Sequence, residues 1–313
     1  MSRSASGNSR ISTDDDDALE KYIRAGRIAA NVREDTKRIV KEGMPLIEIC
    51  EIVEDKIRSL GGEPAFPCNI SINEIAAHYT SPPDDKSVIP EGSLVKIDIG
   101  VHIDGYIADT AHTICFNPEY EEMVHAAERA LKTAIEIMRP GMLISKVSSE
   151  IQATIERYGF KPISNLTGHE VGRYMIHAGK PIPNVAHLSL DKLRLGGVYA
   201  IEPFVTLKEA AGRVEDSPEK YIFRLVKRKP SLKSAEEENL LGFIEENFKT
   251  LPFAERWLRR NYGREESYKR ALLNLLSTKH LMAYPVFIEA SFKPVAQAEH
   301  TVYISDEGAI TLT

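Results

Sequence analysis

An internal repeat limits the folds open to this chain more than any other feature of its sequence. Gly43 and Gly141 each precede a segment with helical spacing of apolar residues, and Gly61 and Gly159 each follow one. The members of both pairs are 98 residues apart. Because glycine commonly follows the last turn of a helix, these positions predict equivalent helices. The chain is therefore predicted to contain two halves with the same order of elements.

Each half is predicted to begin with two helices. Apolar residues recur at helical spacing over residues 18–41 and 45–60 in the first half, and over 119–138 and 144–158 in the second. Residues 1–13 precede all four segments. They are polar and rich in Ser and Arg, and this composition predicts a disordered tail.

A β-hairpin is predicted after the first pair of helices. Apolar residues alternate with polar residues or glycine over 95–100, which is typical of a strand. Asp104-Gly105 is a residue pair that accepts the positive φ angles of a tight turn, and a second strand follows over 107–116. Asp98 and Asp109 lie one on each arm. From the hairpin alone two interpretations stay open: both acids in solvent on an edge hairpin, or two buried acids separated by a positive charge.

The second half repeats the acids at matched positions. Residues 92–98, which end in Asp98, are echoed by residues 196–202, which end in Glu202. The sequence that starts at Asp109 is similarly echoed at Glu299. One acid on each arm of two equivalent hairpins is improbable by chance and favours the interpretation in which the acids converge on a positive charge.

The second hairpin is interrupted by a long insertion. Asp98 and Asp109 are 11 residues apart, whereas Glu202 and Glu299 are 97 apart. A structureless loop of that length is uncommon in a compact domain, so residues 217–280 are predicted to form an inserted helical subdomain. Its predicted helices span residues 236–248, 253–260 and 265–276. Four apolar residues are expected to bury it against the main body: Trp257, Leu258, Leu272 and Leu275.

Composition excludes several classes of function. The formal net charge of −6 argues against a nucleic-acid-binding surface. No apolar run approaches the roughly 18 residues needed to span a bilayer, and the N-terminus lacks the apolar core of a signal peptide. Three widely spaced cysteines without a CxxC pair fit reduced thiols. These observations predict a cytoplasmic protein that binds neither membrane nor nucleic acid.

Four carboxylates and one histidine indicate a metal site. His169 lies between the two halves, within the segment Asn165-Leu166-Thr167-Gly168-His169. Oxygen-rich ligands with a single nitrogen suit divalent cations. Carboxylates that bridge two such ions hold them roughly 3.5–4 Å apart, the spacing used by two-metal hydrolases. The sequence therefore predicts a pair of divalent metal ions.

Several short motifs make the chain similar to a known family. They are Ala65-Phe66-Pro67, Ala76-Ala77-His78-Tyr79-Thr80, Ile97-Asp98-Ile99-Gly100, Ala108-Asp109-Thr110-Ala111, Gly168-His169, Ile176-His177-Ala178-Gly179, Ala200-Ile201-Glu202-Pro203 and Glu299-His300-Thr301. Through these motifs the chain resembles the type 2 methionine aminopeptidases, a group of pita-bread metallopeptidases, in their short archaeal form. The resemblance implies an α+β pita-bread catalytic domain over residues 14–313, with two pseudo-symmetric halves and the helical insertion that type 2 carries.

The resemblance implies a role for each ligand. Asp98 would chelate one metal, and Asp109 and Glu299 would bridge both. His169 and Glu202 would complete the second site, and Glu202 would also take the proton from the attacking water. The ions implied are Co, Mn, Fe or Zn, which such ligands do not distinguish sharply.

The resemblance also implies residues that contact substrate without binding metal. His78 would lie near the free amine or the scissile amide, and His177 would hydrogen-bond the scissile carbonyl and the oxyanion formed from it. Phe66, Ile176 and Tyr284 match positions that wall the methionine pocket. Two further histidines, His112 and His300, follow acids at echoing positions, and both support of the ligands and an ordinary core role stay open for them.

The function implied is removal of the N-terminal methionine from nascent proteins when the next residue is small, by a monomer. Two alternatives stay open. One is a proline-specific peptidase of the same fold, although such proteins usually carry an additional N-terminal domain. The other is a non-catalytic relative that acts as a binding protein, against which the complete set of five ligands argues.

Overall fold

A computed structural model describes residues 13–228, 232, 234–262 and 265–313. The predicted disordered tail lies outside the described residues except for Thr13, which begins the first helix. The seven described α-helices are α1 (Thr13–Ile39), α2 (Leu46–Ser59), α3 (Glu121–Ile137), α4 (Ile144–Arg157), α5 (Ala235–Asn247), α6 (Glu255–Tyr262) and α7 (Glu265–Ser277). None of the helices in the described part of the chain is both long and apolar enough to cross a membrane.

The described strands form five small sheets. The strands are β1 (Glu63–Pro64), β2 (Asn69–Ile72), β3 (Ile75–Ala77), β4 (Leu94–Ile103), β5 (Tyr106–Cys115), β6 (Lys161–Pro162), β7 (Thr167–Glu170), β8 (Pro181–Pro183), β9 (Val198–Ile201), β10 (Phe204–Thr206), β11 (Val214–Asp216), β12 (Ile222–Leu225), β13 (Phe253–Ala254), β14 (Leu281–Tyr284), β15 (Phe287–Glu289), β16 (Val295–Gln297), β17 (His300–Ile304) and β18 (Ala309–Thr311). All strand pairings among the described residues are antiparallel, which is typical of the predicted α+β class.

The helix ends predicted from the repeated glycines are confirmed. Gly61 and Gly159 follow α2 and α4 with φ of 83° and 82°, and Gly43 and Gly141 precede the same helices with φ of 79° and 80°. These angles lie in the left-handed region that glycine enters without a Cβ clash. Each half thus uses the same residue type to enter and to leave its second helix.

The predicted hairpin is also confirmed. β4 and β5 pair along their whole length, and Asp104 and Gly105 make the turn with φ of 50° and 88°. Asp109 is opposite Gly100, two residues beyond Asp98. Because alternate residues of a strand point to the same face, the register directs both carboxylates to one face of the hairpin.

In the second half the two acids flank a strand pair instead of a local hairpin. β9 pairs with β17, and Ile201 is opposite His300. Glu202 immediately follows β9 and Glu299 immediately precedes β17, so both acids lie at the same end of this pair. The helical insertion therefore separates the two strands in sequence without preventing them from pairing.

Each half has its own hydrophobic core behind its acids. Buried residues of α1 and α2 pack with β4, and buried residues of α3 and α4 pack with β9, β10, β16 and β17. β4 has buried residues on both faces, including Lys96, although its alternating sequence is typical of a half-buried strand. The second half covers the polar face, and Lys96 Nζ donates to the carbonyl oxygens of Asn73 and Val295 at 2.9 and 2.8 Å.

The two halves meet along hydrogen bonds made by threonine side chains, which we call the threonine seam (Thr110, Thr113 and Thr301). Thr301 Oγ1 accepts from the amide of Asp109 and donates to its carbonyl, both at 2.7 Å. Thr113 Oγ1 accepts from the amide of Gln297 at 2.9 Å and donates to its carbonyl at 2.7 Å. Thr110 Oγ1 donates to the carbonyl of Glu299 at 2.8 Å. Side chains thus replace part of a backbone ladder where the acid-bearing strands approach.

Helices α5 to α7 pack around a core of their own, and this corrects one prediction. Leu258, Leu272 and Leu275 are buried among residues of the insertion instead of against the main body, whereas Trp257 belongs to the same core and also contacts α2 through Glu54 and Arg58. The insertion has enough apolar residues for a separate cluster because β12, β13 and β14 add a three-stranded sheet beneath its helices.

A buried polar contact ties the insertion to the main body. Glu54 on α2 pairs with Arg256 on α6, and it accepts a hydrogen bond from Trp257 Nε1 at 2.7 Å. Arg256 also donates to Thr80 Oγ1 at 2.7 Å and to the Ser81 carbonyl at 3.1 Å. A buried guanidinium requires such partners, since an unpaired buried charge is costly.

Candidate active site

One cavity of about 330 Å³ lies where the two halves and the insertion meet. All ten residues that the sequence predicts for the site line it: Phe66, His78, Asp98, Asp109, His169, Ile176, His177, Glu202, Tyr284 and Glu299. They come from strands and loops spread over more than 230 positions of the sequence. The structure therefore brings the predicted residues together, and their individual roles stay predictions.

Three of the predicted ligands form the tightest group. Ligand atoms of Asp109, His169 and Glu299 all lie within 4.8 Å of one another, and all three residues are buried. His169 Nε2 is 3.7 Å from Asp109 Oδ2 and 3.5 Å from Glu202 Oε1, which joins the fourth predicted ligand to the group. Asp98 shares the face of Asp109 and accepts a hydrogen bond from Asn69 Nδ2 at 3.2 Å.

The carboxylates are held in an environment that opposes their negative charge. Burial raises the pKa of Asp98 to about 6. Burial, followed by the charges of neighbouring acids, raises the pKa of Asp109, Glu202 and Glu299 well above the ordinary range. Burial also lowers the pKa of His169 to about 3, so its imidazole is neutral and free to donate a lone pair. Clustered acids beside a neutral histidine are a typical composition for a cation site.

Unpartnered oxygens agree with this interpretation. Asp98 Oδ1 and Asp109 Oδ1 are buried and have no hydrogen-bond partner among the described residues. Buried polar atoms are nearly always satisfied, and an unsatisfied one often marks a missing ion. The donor set, the burial and the open lone pairs therefore fit divalent cations.

The buried acids predict an unusual pH dependence for the metal-free protein. A raised pKa means that the folded state binds more protons than the unfolded state above about pH 4, so these acids lower stability as pH rises. Replacing Glu299 by Gln removes one of them. We expect metal-free Glu299→Gln to become increasingly more stable than the metal-free wild type between pH 5 and 8, by at most about 1.4 kcal/mol per pH unit. Urea denaturation in chelator measures this difference.

Comparing the stability of the variant with that of the wild type cancels the contributions of other groups, whose titration changes stability in the opposite direction. His78 and His169, with pKa values lowered to about 4 and 3, raise stability as pH rises up to about 6.5. Lys96, whose pKa is lowered to about 7, raises stability as pH rises above about 7. Added divalent metal should reverse the order and make the wild type the more stable protein. A stability difference that is constant across pH would contradict the electrostatic account.

The threonine seam supports the ligands from behind, and Thr301→Val tests it. Valine would leave the buried amide and carbonyl of Asp109 without partners, which costs roughly 1–3 kcal/mol for each group. We also expect metal affinity to fall about 10–100-fold, as when other outer partners of ligands are removed. Denaturation and metal titration measure the two effects.

Thr113→Val is the matched control for the seam. It removes equivalent hydrogen bonds to Gln297, a residue outside the predicted ligand set. This variant should lose stability and retain metal affinity. Equal loss of metal affinity in both variants would show that the seam acts only on overall stability.

His78 lies on the apolar side of the cavity in a strained conformation. Its φ is 65°, and its ring packs against Tyr284 at 5.4 Å and Phe287 at 4.6 Å between centroids. Burial, and then the charge of His177, lower its pKa to about 4. Its Nδ1 is buried and has no hydrogen-bond partner among the described residues. A neutral imidazole with an open nitrogen, held at positive φ, is a pattern found at functional sites.

His177 lies at the rim of the cavity, next to the predicted ligands. Its ring centroid is 4.4 Å from that of His169, at an angle of 65°. The side chain is solvent-exposed, yet the surrounding protein, and then the charge of Arg224, lower its pKa. A neutral imidazole at this position has an N–H available for donation into the cavity.

The remaining wall of the cavity is apolar. Phe66 is 7% exposed and crosses β4 at Gly100, where a Cβ would overlap its ring. The sequence prediction named Phe66, Ile176 and Tyr284 but missed six further apolar residues that line the cavity: Ala77, Leu166, Phe204, Ile222, Pro252 and Phe287. No local signal distinguishes these apolar residues from core residues.

Polar residues around the ligands were also missed. Asn69 on β2 is opposite Asp98, and only the pairing of β2 with β4 reveals it. Behind the ligands, Arg33 Nη1 donates to Thr110 Oγ1 at 2.8 Å and lies 3.0 Å from His300 Nδ1. Arg33 therefore links His300 to Thr110 of the threonine seam. His112 is buried on the side away from the cavity, 3.3 Å from Thr36 Oγ1, where a core role fits.

Comparison with known proteins relates this site to a family. The model of metallopeptidase family M24 matches residues 20–236. A methionine aminopeptidase of Thermococcus kodakarensis is 45% identical over 298 residues, which cover 95% of this chain and 100% of that protein. The chain belongs to the methionine aminopeptidases of metallopeptidase family M24. Membership of a metallopeptidase family agrees with the divalent-metal site inferred from the cavity.

Solved structures show the same fold. A methionine aminopeptidase from Thermotoga maritima superposes with a TM-score of 0.69 at 23% identity, covering 97% of this chain and 98% of that one. A prolidase from Pyrococcus furiosus superposes with a TM-score of 0.60 at 21% identity and covers 95% of this chain but 64% of the prolidase. The fold is the pita-bread fold of these peptidases, as the sequence predicted.

Proposed function

We propose that this chain removes the N-terminal methionine from peptides and nascent proteins whose second residue is small, with the help of two divalent metal ions. The observation that carries the proposal is the convergence of Asp109, His169 and Glu299, with unpartnered carboxylate oxygens, beside an apolar wall. High identity to methionine aminopeptidases over nearly the whole chain supports it.

Five residues would hold the metal ions. Asp98 would bind one ion, His169 and Glu202 the other, and Asp109 and Glu299 would bridge them. Divalent cations held there would neutralise the buried carboxylates, polarise the scissile carbonyl and make water a better nucleophile. This ligand set does not separate Mn, Fe, Co and Zn, and metal analysis of protein purified without added metal would identify the ion.

Glu202 is the residue we propose to accept the proton of the attacking water. Its side chain is 14% exposed, compared with 5% for Asp109, so it is the more accessible of the two to solvent. It also lies 3.5 Å from His169 Nε2, which places it at the edge of the ligand group. A carboxylate at this edge is positioned to move a proton from water towards the departing amine.

The two histidines outside the ligand set would act on the peptide. His177, neutral at the rim, would donate its N–H to the scissile carbonyl oxygen and more strongly to the oxyanion that develops there. His78, neutral and buried, would contact the free amine or the scissile amide. Both roles require imidazole at physiological pH, which the lowered pKa values of these residues favour.

The apolar wall would bind the methionine side chain. Phe66, Ile176 and Tyr284 line the same cavity as the carboxylates. An aromatic and aliphatic surface suits a flexible, polarisable thioether. A cavity of about 330 Å³ has room for a side chain of this size beside the predicted ligands.

Peptides with different N-termini test the proposal. Met-Gly-Ser and Met-Ala-Ser should be cleaved, chelator should abolish cleavage, and added metal should restore it. An Xaa-Pro dipeptide should be left intact. Cleavage of Xaa-Pro with methionyl peptides untouched would replace the proposal by a proline-specific peptidase, and cleavage of neither in metal-loaded protein would favour a non-catalytic binding protein. The monomeric state and the cytoplasmic location stay predictions.

A further inference from the structure

The sheet of the insertion forms one side of the cavity, and its central strand extends beyond it. On β12, Ile222 lines the cavity and is opposite Tyr284 of β14, which lines it as well. Phe223 points to the opposite face and belongs to the core of the insertion. Because strand side chains alternate, Arg224 shares the face of Ile222 and Tyr284. Arg224 lies two residues beyond Ile222 on β12, opposite Met282 of β14.

Among the described residues, Arg224 has no partner that neutralises its charge. Its Nε atom is buried and makes no hydrogen bond with the described residues. No ion pair joins it to a carboxylate in the part of the chain that the structure describes. Arginines that are partly buried for structural reasons are normally paired, as Arg256 is with Glu54 in the same insertion. An unpaired guanidinium beside a substrate cavity indicates a partner that arrives with the substrate.

The charge of the guanidinium acts on two residues that line the cavity, His177 at the rim and Tyr284 in the apolar wall. Its positive charge is the second cause, after burial, of the lowered pKa of His177. It also opposes the rise in the pKa of Tyr284 that burial produces. The strand register, with Arg224 on the same face as Ile222 and Tyr284, places it beside the cavity on the side formed by the sheet of the insertion.

We propose that Arg224 is a specificity-determining residue whose guanidinium binds a carboxylate of the substrate peptide on the C-terminal side of the cleaved bond. This inference rests on the proposed aminopeptidase function. The fork of N–H groups matches the two oxygens of a carboxylate, which favours a carboxylate over a single carbonyl oxygen. The carboxylate belongs either to an acidic side chain at the third or fourth residue or to the C-terminus of a short peptide.

Pairs of peptides that differ only in charge test this proposal. The first arm compares amidated Met-Ala-Glu-Ser with Met-Ala-Gln-Ser, and Met-Ala-Ser-Glu with Met-Ala-Ser-Gln. The second arm compares free-acid and amidated Met-Ala-Ser. In the metal-loaded wild type we expect kcat/KM to favour the charged member of at least one pair by about threefold to fivefold, the size of a solvent-accessible ion pair. The difference should appear mainly in KM and shrink at high salt, because the site is open to solvent.

Variants at Arg224 show whether the preference comes from this residue. Arg224→Gln should reduce the ratio within each pair to about one, and Arg224→Lys should keep part of it, since lysine retains the charge but not the fork. Arg157→Gln is the matched control, because it removes the same charge from the surface of α4, where Arg157 pairs with Glu150. Arg157→Gln should leave the ratio unchanged.

The outcomes separate this inference from the proposed function. Wild-type protein that cleaves Met-Ala-Ser without distinguishing the charged and neutral peptides would overturn the role of Arg224 and leave the aminopeptidase function intact. A preference for the charged peptides that persists in Arg224→Gln would also overturn the role of Arg224 and leave the aminopeptidase function intact. Protein that cleaves no methionyl peptide would contradict the proposed function itself. If Arg224→Gln does not fold, two measurements still test the role of Arg224. They are the salt dependence of the kcat/KM ratio in the wild type and the same ratio in Arg224→Lys.

Discussion

Replacing Asp109 by asparagine should abolish aminopeptidase activity and metal binding in this protein. Asp109 lies in the tightest group of predicted ligands and has an unpartnered buried oxygen. An amide cannot supply the negative charge that the proposed bridge requires. Changes in residues that merely support a ligand cost about 10–100-fold in metal affinity, so loss of the bridge itself should cost more. Peptide cleavage and metal content after dialysis measure the result.

The same variant should be more stable than the wild type when both are metal-free. Asparagine removes one of several buried like charges, and burial with the charges of Asp98 and Glu202 raises the pKa of Asp109 in the wild type. Greater stability with no activity separates loss of metal from failure to fold. Asp306→Asn, in an exposed turn, is the control and should keep both properties. Two bound metal ions and near-normal turnover in Asp109→Asn would show that this residue does not bridge.

Replacing His177 by alanine should lower kcat about 100-fold to 1,000-fold, the usual cost of removing one donor to a developing oxyanion. The residue lies at the rim with its ring 4.4 Å from that of His169, close to the ligands but outside the tightest group. Metal content should therefore stay near that of the wild type. Steady-state kinetics and metal analysis on the same preparation give both quantities.

His125→Ala is a suitable control for the loss of an imidazole. His125 is on α3, and its ring packs against Tyr158, outside the cavity. This variant should keep its turnover. Loss of metal from His177→Ala would place that histidine among the ligands, and unchanged kcat would remove it from the reaction.

The helices and the hairpin were predictable because the signals that determine them are local. Gly61 and Gly159 end helices through a backbone conformation that other residues adopt only with strain, so each can be recognised from its immediate sequence. Asp104-Gly105 sets the register of β4 and β5 in the same way, and that register alone directs Asp98 and Asp109 to one face.

The candidate site was predictable to a smaller extent. Matched acids in the two halves, with His169 between the halves, predicted a metal site, and resemblance to a family added His78 and His177. The distances could not be predicted. Glu202 is linked to the group of predicted ligands through His169, and Asn69 is opposite Asp98. Both contacts arise only because strands distant in sequence pair with each other.

The insertion shows where prediction from sequence failed. Its helices were recognised from their spacing, but Leu258 and Leu272 were expected to pack on the main body and instead belong to a core within the insertion. Helical periodicity shows that a residue is buried and does not show what buries it. The partner is decided by β12 to β14, whose outer face then becomes a wall of the cavity.

The sequence by itself determined which segments are helices and turns, which residue types can bind metal, and that two equivalent halves exist. Each of these depends on spacing or on the chemistry of single residues. Only the tertiary structure decided that the halves meet along the threonine seam, that apolar residues from the insertion close the cavity, and that Arg224 lies beside it without an ion pair to any described residue. These features depend on contacts between residues far apart in the chain, which arise only when the core of each half brings its strands together.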